Sequence, residues 1–282
     1  MTFIIELLKS LLFGIVEGIT EWLPVSSTGH LILLEEFVHF DSVSEGFFEM
    51  FEVVIQLGAI LAVVVTFFGR LWPFSKKGEI LGVIKRGKLF MWLKILVACI
   101  PAAVVGLLFD DLIDAYFYNP VTVGIMLLLV GAAFIIVERS GLGKRARIDS
   151  IDDMDFRTAL GIGLFQLIAA VFPGTSRSGA TILGGLMLGV SRTTAAEFTF
   201  FLAVPVMFGA SLLKIVKFGL AFTSAELIIL LIGMASAFAV SMICIKFLMD
   251  YIRRHDFKVF GWYRIILGVI VLIYFAAKAL IA

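Results

Sequence analysis

Within the apolar segments of the chain, ionisable and hydroxyl side chains cluster in two short stretches. In the first stretch Glu17 and Glu21 are four residues apart, a spacing that puts both carboxylates on one face of a helix. Two neighbouring carboxylates in apolar surroundings could bind a hard divalent cation, Mg²⁺ or Ca²⁺, or could share a proton. The structural alternative is a pair of helix-end carboxylates that reach for water.

A histidine and three hydroxyl groups follow within nine residues of Glu21: Ser26, Ser27, Thr28 and His30. A hydroxyl within reach of an imidazole, with carboxylates nearby, has the parts of an activated nucleophile or an acid–base pair. His30 could itself attack phosphorus, or it could be a hydrogen-bonded interior histidine. The residues alone do not choose between these roles.

The second stretch, PGTSRSGAT at 173–181, has the composition of an anion-binding loop. Gly174 and Gly179 permit tight turns with exposed backbone N–H groups, and a helix that begins near Ser178 directs its positive end at the loop. Arg177 adds a fork that fits phosphate oxygens, although it could instead pair with a glutamate of the first stretch. The remaining hydroxyl candidates are Thr175, Ser176 and Thr181.

The composition shows what must position these residues. The chain has 282 residues, of which 61% are hydrophobic and 16% charged, and its mean hydropathy is +1.09. Soluble domains average about 45–50% apolar and about 25% charged residues, so a soluble enzyme is excluded. A net charge of +1 gives no electrostatic reason to expect nucleic acid, and two cysteines in apolar stretches exclude a disulfide framework or zinc cluster.

The apolar segments predict an all-α polytopic membrane protein. Crossing a hydrocarbon core of about 30 Å takes about 20 apolar residues. Six stretches qualify: 51–69, 92–109, 120–138, 198–216, 226–249 and 263–281. Polar and helix-breaking residues interrupt the apolar regions 3–38 and 158–190, which we therefore interpret as two re-entrant helical hairpins. Glu52, Gln56 and Glu197, near the starts of spans, are weaker site candidates.

Loop charges predict the orientation. Basic residues follow the first, third and fifth spans: Arg70, Lys76, Lys77, Lys85, Arg86, Lys88, Arg139, Lys144, Arg145, Arg147, Arg157, Arg253, Arg254, Lys258 and Arg264. The segments that alternate with them carry acidic residues and no Lys or Arg: Asp41, Glu45, Glu49, Asp110, Asp111 and Asp114. By the positive-inside rule the basic loops are cytoplasmic, and both termini are then outside.

The two interrupted regions resemble each other at an offset of 149 residues. GIVEGITEWLPVSSTGH aligns with GLFQLIAAVFPGTSRSG, so that Ser26-Ser27 matches Thr175-Ser176. Each region precedes three spans, which defines repeats at 1–140 and 158–282 around a cytoplasmic linker at 141–157. Three spans is an odd number, so the second repeat is inverted, with one hairpin entering from outside and the other from the cytoplasm. Such repeats bring polar backbone to the membrane midplane.

At EGITEWLPVSSTGH and PGTSRSGAT the chain resembles the bacterial undecaprenyl pyrophosphate phosphatase family, also called bacitracin-resistance proteins. The resemblance continues through FEVVIQLGAILAVVV at 51–65, IDDMDFRTAL at 151–160 and GVSRTTAAEFTFFLAVPVMFGA at 189–210. It implies a multi-pass enzyme of the bacterial plasma membrane that hydrolyses undecaprenyl pyrophosphate with a divalent cation. Its site would face outward, and its product would be the lipid carrier reused in cell-wall synthesis.

The resemblance also implies roles for residues. Glu17 and Glu21 would bind metal and move protons, Ser27 and His30 would supply the nucleophile and its partner in an unsettled order, and Arg177 would hold the pyrophosphate. The substrate-binding set would be Ser26, Thr28, Thr175, Ser176, Ser178, Gly179 and Thr181. A transporter or flippase of an anionic prenyl lipid is the alternative, because transporters share this architecture. The sequence leaves open a homodimer.

Overall fold

The computed structural model describes residues 2–74, 86–219 and 221–281. The helices of this part are α1 Thr2–Thr20, α2 Ser27–Phe37, α3 Phe47–Val54, α4 Gln56–Thr66, α5 Phe68–Leu71, α6 Arg86–Phe117, α7 Pro120–Arg139, α8 Phe156–Val171, α9 Arg177–Met187, α10 Arg192–Phe218, α11 Ser224–Ile252 and α12 Lys258–Ile281. The basic residues Lys76, Lys77 and Lys85 lie outside the described residues.

Six helical segments of the described chain are long and apolar enough to span a membrane: Phe47–Thr66, Arg86–Phe109, Pro120–Arg139, Arg192–Phe218, Ser224–Ile252 and Lys258–Leu280. The six predicted spans are thus confirmed, with ends that differ by a few residues. Polar caps account for some of these ends. Asn119 accepts a hydrogen bond from the Thr122 amide at the start of α7, and Thr223 and Glu226 form a capping box at the start of α11.

Each interrupted region contains a proline between its two helices and restarts after a serine. Pro24 and Pro173 cannot donate a backbone hydrogen bond, and the helices restart after Ser26 and Ser176, whose φ angles of 75° and 68° are positive. Each serine hydroxyl accepts the amide hydrogen three residues ahead. The structural partner of Ser26 is therefore Ser176, at an offset of 150. The sequence alignment was wrong by one residue after the break, because Gly174, with φ 89°, is an additional residue in the second loop.

The two ends of each interrupted region lie close together. Lys9 of α1 pairs with Asp41, which follows α2, and Glu6 accepts a hydrogen bond from the Asp41 amide. In the second region, the amide of Arg147, before α8, donates to the carbonyl of Gly189, after α9, at 2.8 Å.

The helices α7 and α12 pack on each other reciprocally. A Cβ added to Gly131 would lie 2.8 Å from the carbonyl oxygen of Gly261, and a Cβ added to Gly261 would lie 2.8 Å from that of Gly131. Farther along, Gly124 contacts Leu272, so the two helices run antiparallel. Helix α1 packs along α11, and α8 packs along α6.

Candidate functional site

The two loops meet through an ion pair between their polar residues. Arg177, the first residue of α9, donates from Nη2 to Glu21 Oε1 at 2.7 Å and from Nη1 to the Thr199 carbonyl at 2.8 Å. The hydroxyl of Ser27 donates to the other carboxylate oxygen, Glu21 Oε2, also at 2.7 Å. One carboxylate therefore connects a guanidinium from the second interrupted region to a hydroxyl from the first.

Hydrogen bonds to the backbone hold the loops in this arrangement. The Ser178 hydroxyl donates to the Glu21 carbonyl at 3.1 Å, which joins α9 to the first loop. Thr181 donates to the Arg177 carbonyl at 2.9 Å and contacts the Thr199 hydroxyl at 2.8 Å, which joins α9 to α10. The Arg177 guanidinium also lies 5.9 Å from the centre of the Trp22 ring.

A cavity of about 180 Å³ lies against this cluster and is lined in part by Glu21, Ser27, Arg177 and Ser176. A second cavity of about 410 Å³ adjoins it, because Thr28 and Gln56 line both. The second cavity is polar, with these further polar lining residues: Glu49, Glu52, Tyr118 and Lys214. Gln56 and Glu52, weaker candidates in the sequence, thus line the two adjoining cavities.

Glu17 is fully buried, and neither of its carboxylate oxygens has a hydrogen-bond partner. A buried, unpartnered carboxylate needs a cation or a proton to offset the loss of hydration. Among the described residues no three His, Cys, Asp or Glu side chains form a complete metal site. Mg²⁺ is commonly bound by one or two carboxylates together with substrate phosphate oxygens. A cation held by Glu17 and Glu21 together with substrate stays a prediction, because Glu17 lines neither adjoining cavity and both Glu21 oxygens already accept hydrogen bonds.

His30 has different neighbours from those expected. Its Nδ1 lies 2.7 Å from the Ser26 carbonyl and its Nε2 lies 2.7 Å from the Tyr263 hydroxyl. A carbonyl can only accept, so Nδ1 carries the hydrogen and Nε2 accepts from Tyr263 in the neutral ring. The ring lines a separate, apolar cavity of about 360 Å³. Among the described contacts, no hydrogen bond joins His30 to Ser27.

The expected substrate-binding residues divide into two groups. Thr28 and Ser176 line the cavity beside Arg177. The others do not line this cavity and belong to the two loops and the first turns of α9: Ser26, Thr175, Ser178, Gly179 and Thr181. Direct contact of this second group with substrate stays a prediction.

Sequence reasoning missed three residues around the site. Gln166, the counterpart of Glu17, lines the cavity, and Tyr263 bonds His30. Arg264 was counted among the loop charges, which is wrong: it lies inside α12 and is fully buried. The available signal was its position among the apolar residues of YRIILGVIVL, because an ionisable residue within a membrane span usually has a specific partner.

The fold and the site define a polytopic α-helical membrane protein with a polar centre between two interrupted helices. A family model described as Bacitracin resistance protein BacA matches residues 10–270. The chain therefore belongs to this family.

Relatives match the chain over nearly its whole length. The undecaprenyl-diphosphatase of Desulfitobacterium hafniense is 60% identical over 278 residues, which cover 99% of each chain. The undecaprenyl-diphosphatase 1 of Clostridium acetobutylicum is 62% identical over 271 residues, 96% of this chain and 98% of the relative. An undecaprenyl-diphosphatase of Enterococcus faecalis is 57% identical over 269 residues, 95% and 97% of the two chains.

Proposed function

We propose that this protein is a membrane phosphatase that hydrolyses undecaprenyl pyrophosphate to undecaprenyl phosphate and inorganic phosphate. Relatives 57–62% identical over nearly the whole chain carry the name of this activity. The observation that carries the proposal is the hydrogen-bonded series Arg177–Glu21–Ser27 at the wall of a cavity. It combines a cation for an anionic group, a carboxylate base and a hydroxyl nucleophile.

In the reaction that this geometry favours, the Ser27 oxygen attacks the terminal phosphorus and its proton passes to Glu21. The bond from that phosphorus to the bridging oxygen breaks, and its electron pair leaves with undecaprenyl phosphate. Glu21 passes its proton to that leaving oxygen and is ionised again. Water then attacks the phosphoserine with Glu21 again accepting a proton, and inorganic phosphate leaves as Ser27 regains its hydrogen. Support for Ser27 over His30 is the 2.7 Å bond to Glu21, since the Nε2 of His30 already accepts from Tyr263.

Charge neutralisation is the second requirement, because phosphoryl transfer depends mainly on positioning and electrostatics. Arg177 and the N-terminus of α9 would face the phosphate oxygens, with the Ser176 hydroxyl beside them. We assign the Glu17–Glu21 pair as the ligands of a divalent cation, Mg²⁺ or Ca²⁺. When bound, the cation neutralises developing negative charge on the phosphate oxygens.

We further propose that the chain is an inverted repeat whose interrupted regions are re-entrant and whose site opens to the outer face of the plasma membrane. The reciprocal, antiparallel packing of α7 and α12 supports a two-fold relation between the repeats. The proximity of the two ends of each interrupted region supports re-entrance. The larger cavity, with Glu49 and Glu52, supports an opening toward the acidic side. Both termini would be outside.

In this arrangement the enzyme works on a membrane lipid and supplies the recycled carrier for cell-wall synthesis, which accounts for bacitracin resistance in the family. No nucleic acid takes part. A homodimer stays a prediction that the mass of the detergent-solubilised protein tests.

The test is phosphate release by purified protein in detergent with a prenyl pyrophosphate, with Mg²⁺, Ca²⁺ or EDTA. We expect cation-dependent release and a loss of about 100- to 10,000-fold in Glu21→Gln, which removes the base. Glu36→Gln is the matched control, because Glu36 pairs with Lys278 and lines neither of the two adjoining cavities.

The alternative is a transporter or flippase of the same anionic lipid, for which the inverted repeat is the supporting feature. Detergent leaves no second compartment, so transport cannot produce phosphate there. Folded wild-type protein that binds the lipid but releases no phosphate under any cation condition would support this alternative and contradict the phosphatase.

A further inference from the structure

Arg264 is a fully buried arginine that contacts both interrupted regions at once. Its Nη2 donates to the carbonyl oxygens of Gly174 and Thr175, each at 2.8 Å, and its Nη1 donates to the carbonyl of Pro24 at 3.2 Å. It has no ion pair with a carboxylate among the described residues. All three of its acceptors are backbone carbonyls of the two loops.

These carbonyls lie just before the two residues with unusual backbone angles. Ser26 and Ser176 are the only non-glycine residues with positive φ in the described chain, and such backbone conformations are strained. Pro24 is two residues before Ser26, and Thr175 directly precedes Ser176. The surrounding structure must therefore hold the loops in place, and Arg264 is the side chain that bonds the backbone of both.

The carbonyl bonds also set the direction of backbone amides. In a trans peptide the N–H points opposite to the carbonyl, so binding the Thr175 carbonyl turns the Ser176 amide away from Arg264. Gly174 and Ser176 line the cavity beside Arg177, whereas Arg264 does not. The guanidinium therefore binds the loops on their side away from the cavity.

The corresponding position of the first repeat holds no such residue. In the reciprocal packing of α7 and α12, Gly131 contacts the Cβ of Arg264 where Gly261 contacts the Cβ of Phe134. Phe134 is thus the counterpart of Arg264, and it has no polar group. One arginine near the interface of the repeats serves both loops.

We propose that Arg264 is a positioning residue for phosphoryl transfer. It fixes the Pro24 and Gly174–Thr175 carbonyls, so that Ser27 and Arg177, the residues that follow the two strained serines, meet on Glu21. This inference rests on the proposed phosphatase function. It assigns to α12 a part in the reaction that neither polar motif contains.

The test compares Arg264→Met and Arg264→Lys with Lys94→Met. Lys94 is a matched control, because it is also a buried cation whose ammonium donates to two loop carbonyls, those of Ile151 and Asp152, at 2.8 and 3.0 Å. We expect kcat of folded Arg264→Met to fall about 100-fold, the usual effect of a small misplacement, with KM changed much less. Arg264→Lys keeps the charge and part of the bonding and should retain more kcat. Lys94→Met should lower Tm and leave kcat unchanged.

Hydrogen exchange measured on the same variants reports how firmly the two loops are held, independently of catalytic activity. Both Arg264 variants should exchange faster at the amides of 25–28 and 174–178, with α6 and α10 as internal references. If Arg264→Met does not fold, Arg264→Lys and Gly179→Ala replace it, since a Cβ at Gly179 would lie 3.3 Å from Arg264 Nη1.

Normal kcat in folded Arg264 variants, or slower turnover without faster loop exchange, would overturn the proposal. Wild-type protein that releases no phosphate would overturn the phosphatase instead, while the exchange experiment would still report whether Arg264 holds the loops.

Discussion

At the scale of single residues, the Glu21 carboxylate links the two interrupted regions. Its two oxygens are occupied by Arg177 and Ser27, which come from different repeats. A carboxylate held in this way has a fixed direction, so in the proposed reaction the Ser27 oxygen would be aligned before substrate arrives. Pre-alignment of this kind lowers the barrier without any movement during the reaction.

The first prediction concerns the nucleophile. Ser27→Ala should lower turnover on the order of 10⁴-fold or more, because no other group replaces the attacking oxygen. His30→Gln should retain more activity, since His30 bonds the Ser26 carbonyl and Tyr263. Rapid quenching of wild-type turnover, followed by peptide mass analysis, should find a phosphoryl group on Ser27. A phosphoryl group on His30 would reverse this assignment.

The second prediction concerns the guanidinium. Arg177→Lys should lower kcat/KM about 100-fold, because one ammonium cannot replace the planar fork that bonds Glu21 and Thr199 beside the phosphate site. Arg192→Lys is the matched control, because Arg192 also forms a two-point ion pair, with Glu138, away from the cavity. The Arg192→Lys variant should have a lower Tm and an unchanged kcat/KM. Equal losses of kcat/KM in the two variants would mean that Arg177 is structural.

The residues of the site were partly predictable. Glu21, Ser27 and Arg177 could be found because polar side chains are rare in such an apolar sequence. Their bonding could not, since the residues left the role of His30 open and only the family resemblance implied a Ser27–His30 pair, whereas the structure joins Ser27 to Glu21. Arg264 was missed as a site residue because a charge near the end of a predicted span looks like a loop charge. The structure shows that the helix already begins at Lys258.

At the scale of elements, the breaks between α1 and α2 and between α8 and α9 create the site. Pro24 and Pro173 made the two breaks predictable from the sequence. The difference of one residue in the length of the two loops was not predictable. Gly174 accounts for the difference: its φ of 89° suits glycine, and its Cα faces the backbone of Val123 on α7. Neither property is visible in the sequence.

The third prediction uses this glycine. Gly174→Ala should strongly destabilise the protein, because the residue has positive φ and a Cβ would lie 2.6 Å from Val123 Cα and carbonyl oxygen. Gly141→Ala shares the positive φ, 75°, but has nothing within 4 Å of the added Cβ. It should cost only the conformational part, about 1–2 kcal/mol. Thermal unfolding in detergent should therefore give a lower Tm for Gly174→Ala than for Gly141→Ala. An equal decrease in Tm in the two variants would show that Val123 moves aside.

At the scale of the whole molecule, each of the two proposed repeats supplies residues to the polar centre. The first repeat contributes Glu21 and Ser27, and the second contributes Arg177 and Arg264. Composition and span count made the six membrane helices predictable. The packing of α7 on α12 depends on which glycines face each other, and no periodic pattern in the sequence reports that.

The last prediction tests the inverted arrangement. In a variant with Cys99 and Cys244 replaced by alanine, single cysteines are placed at exposed Ser42, which follows α2, and at exposed Arg147, beside the end of α9. Inversion requires the two hairpins to enter from opposite sides. A membrane-impermeant maleimide should therefore label Ser42→Cys in intact cells and Arg147→Cys only after permeabilisation. A third cysteine at exposed Ala221 should behave like Ser42→Cys, because the Ser44 amide donates to Glu226 at the start of α11. Labelling of both Ser42→Cys and Arg147→Cys in intact cells would contradict inversion, and labelling of Arg147→Cys alone would reverse the orientation, so that the larger cavity would open to the cytoplasm.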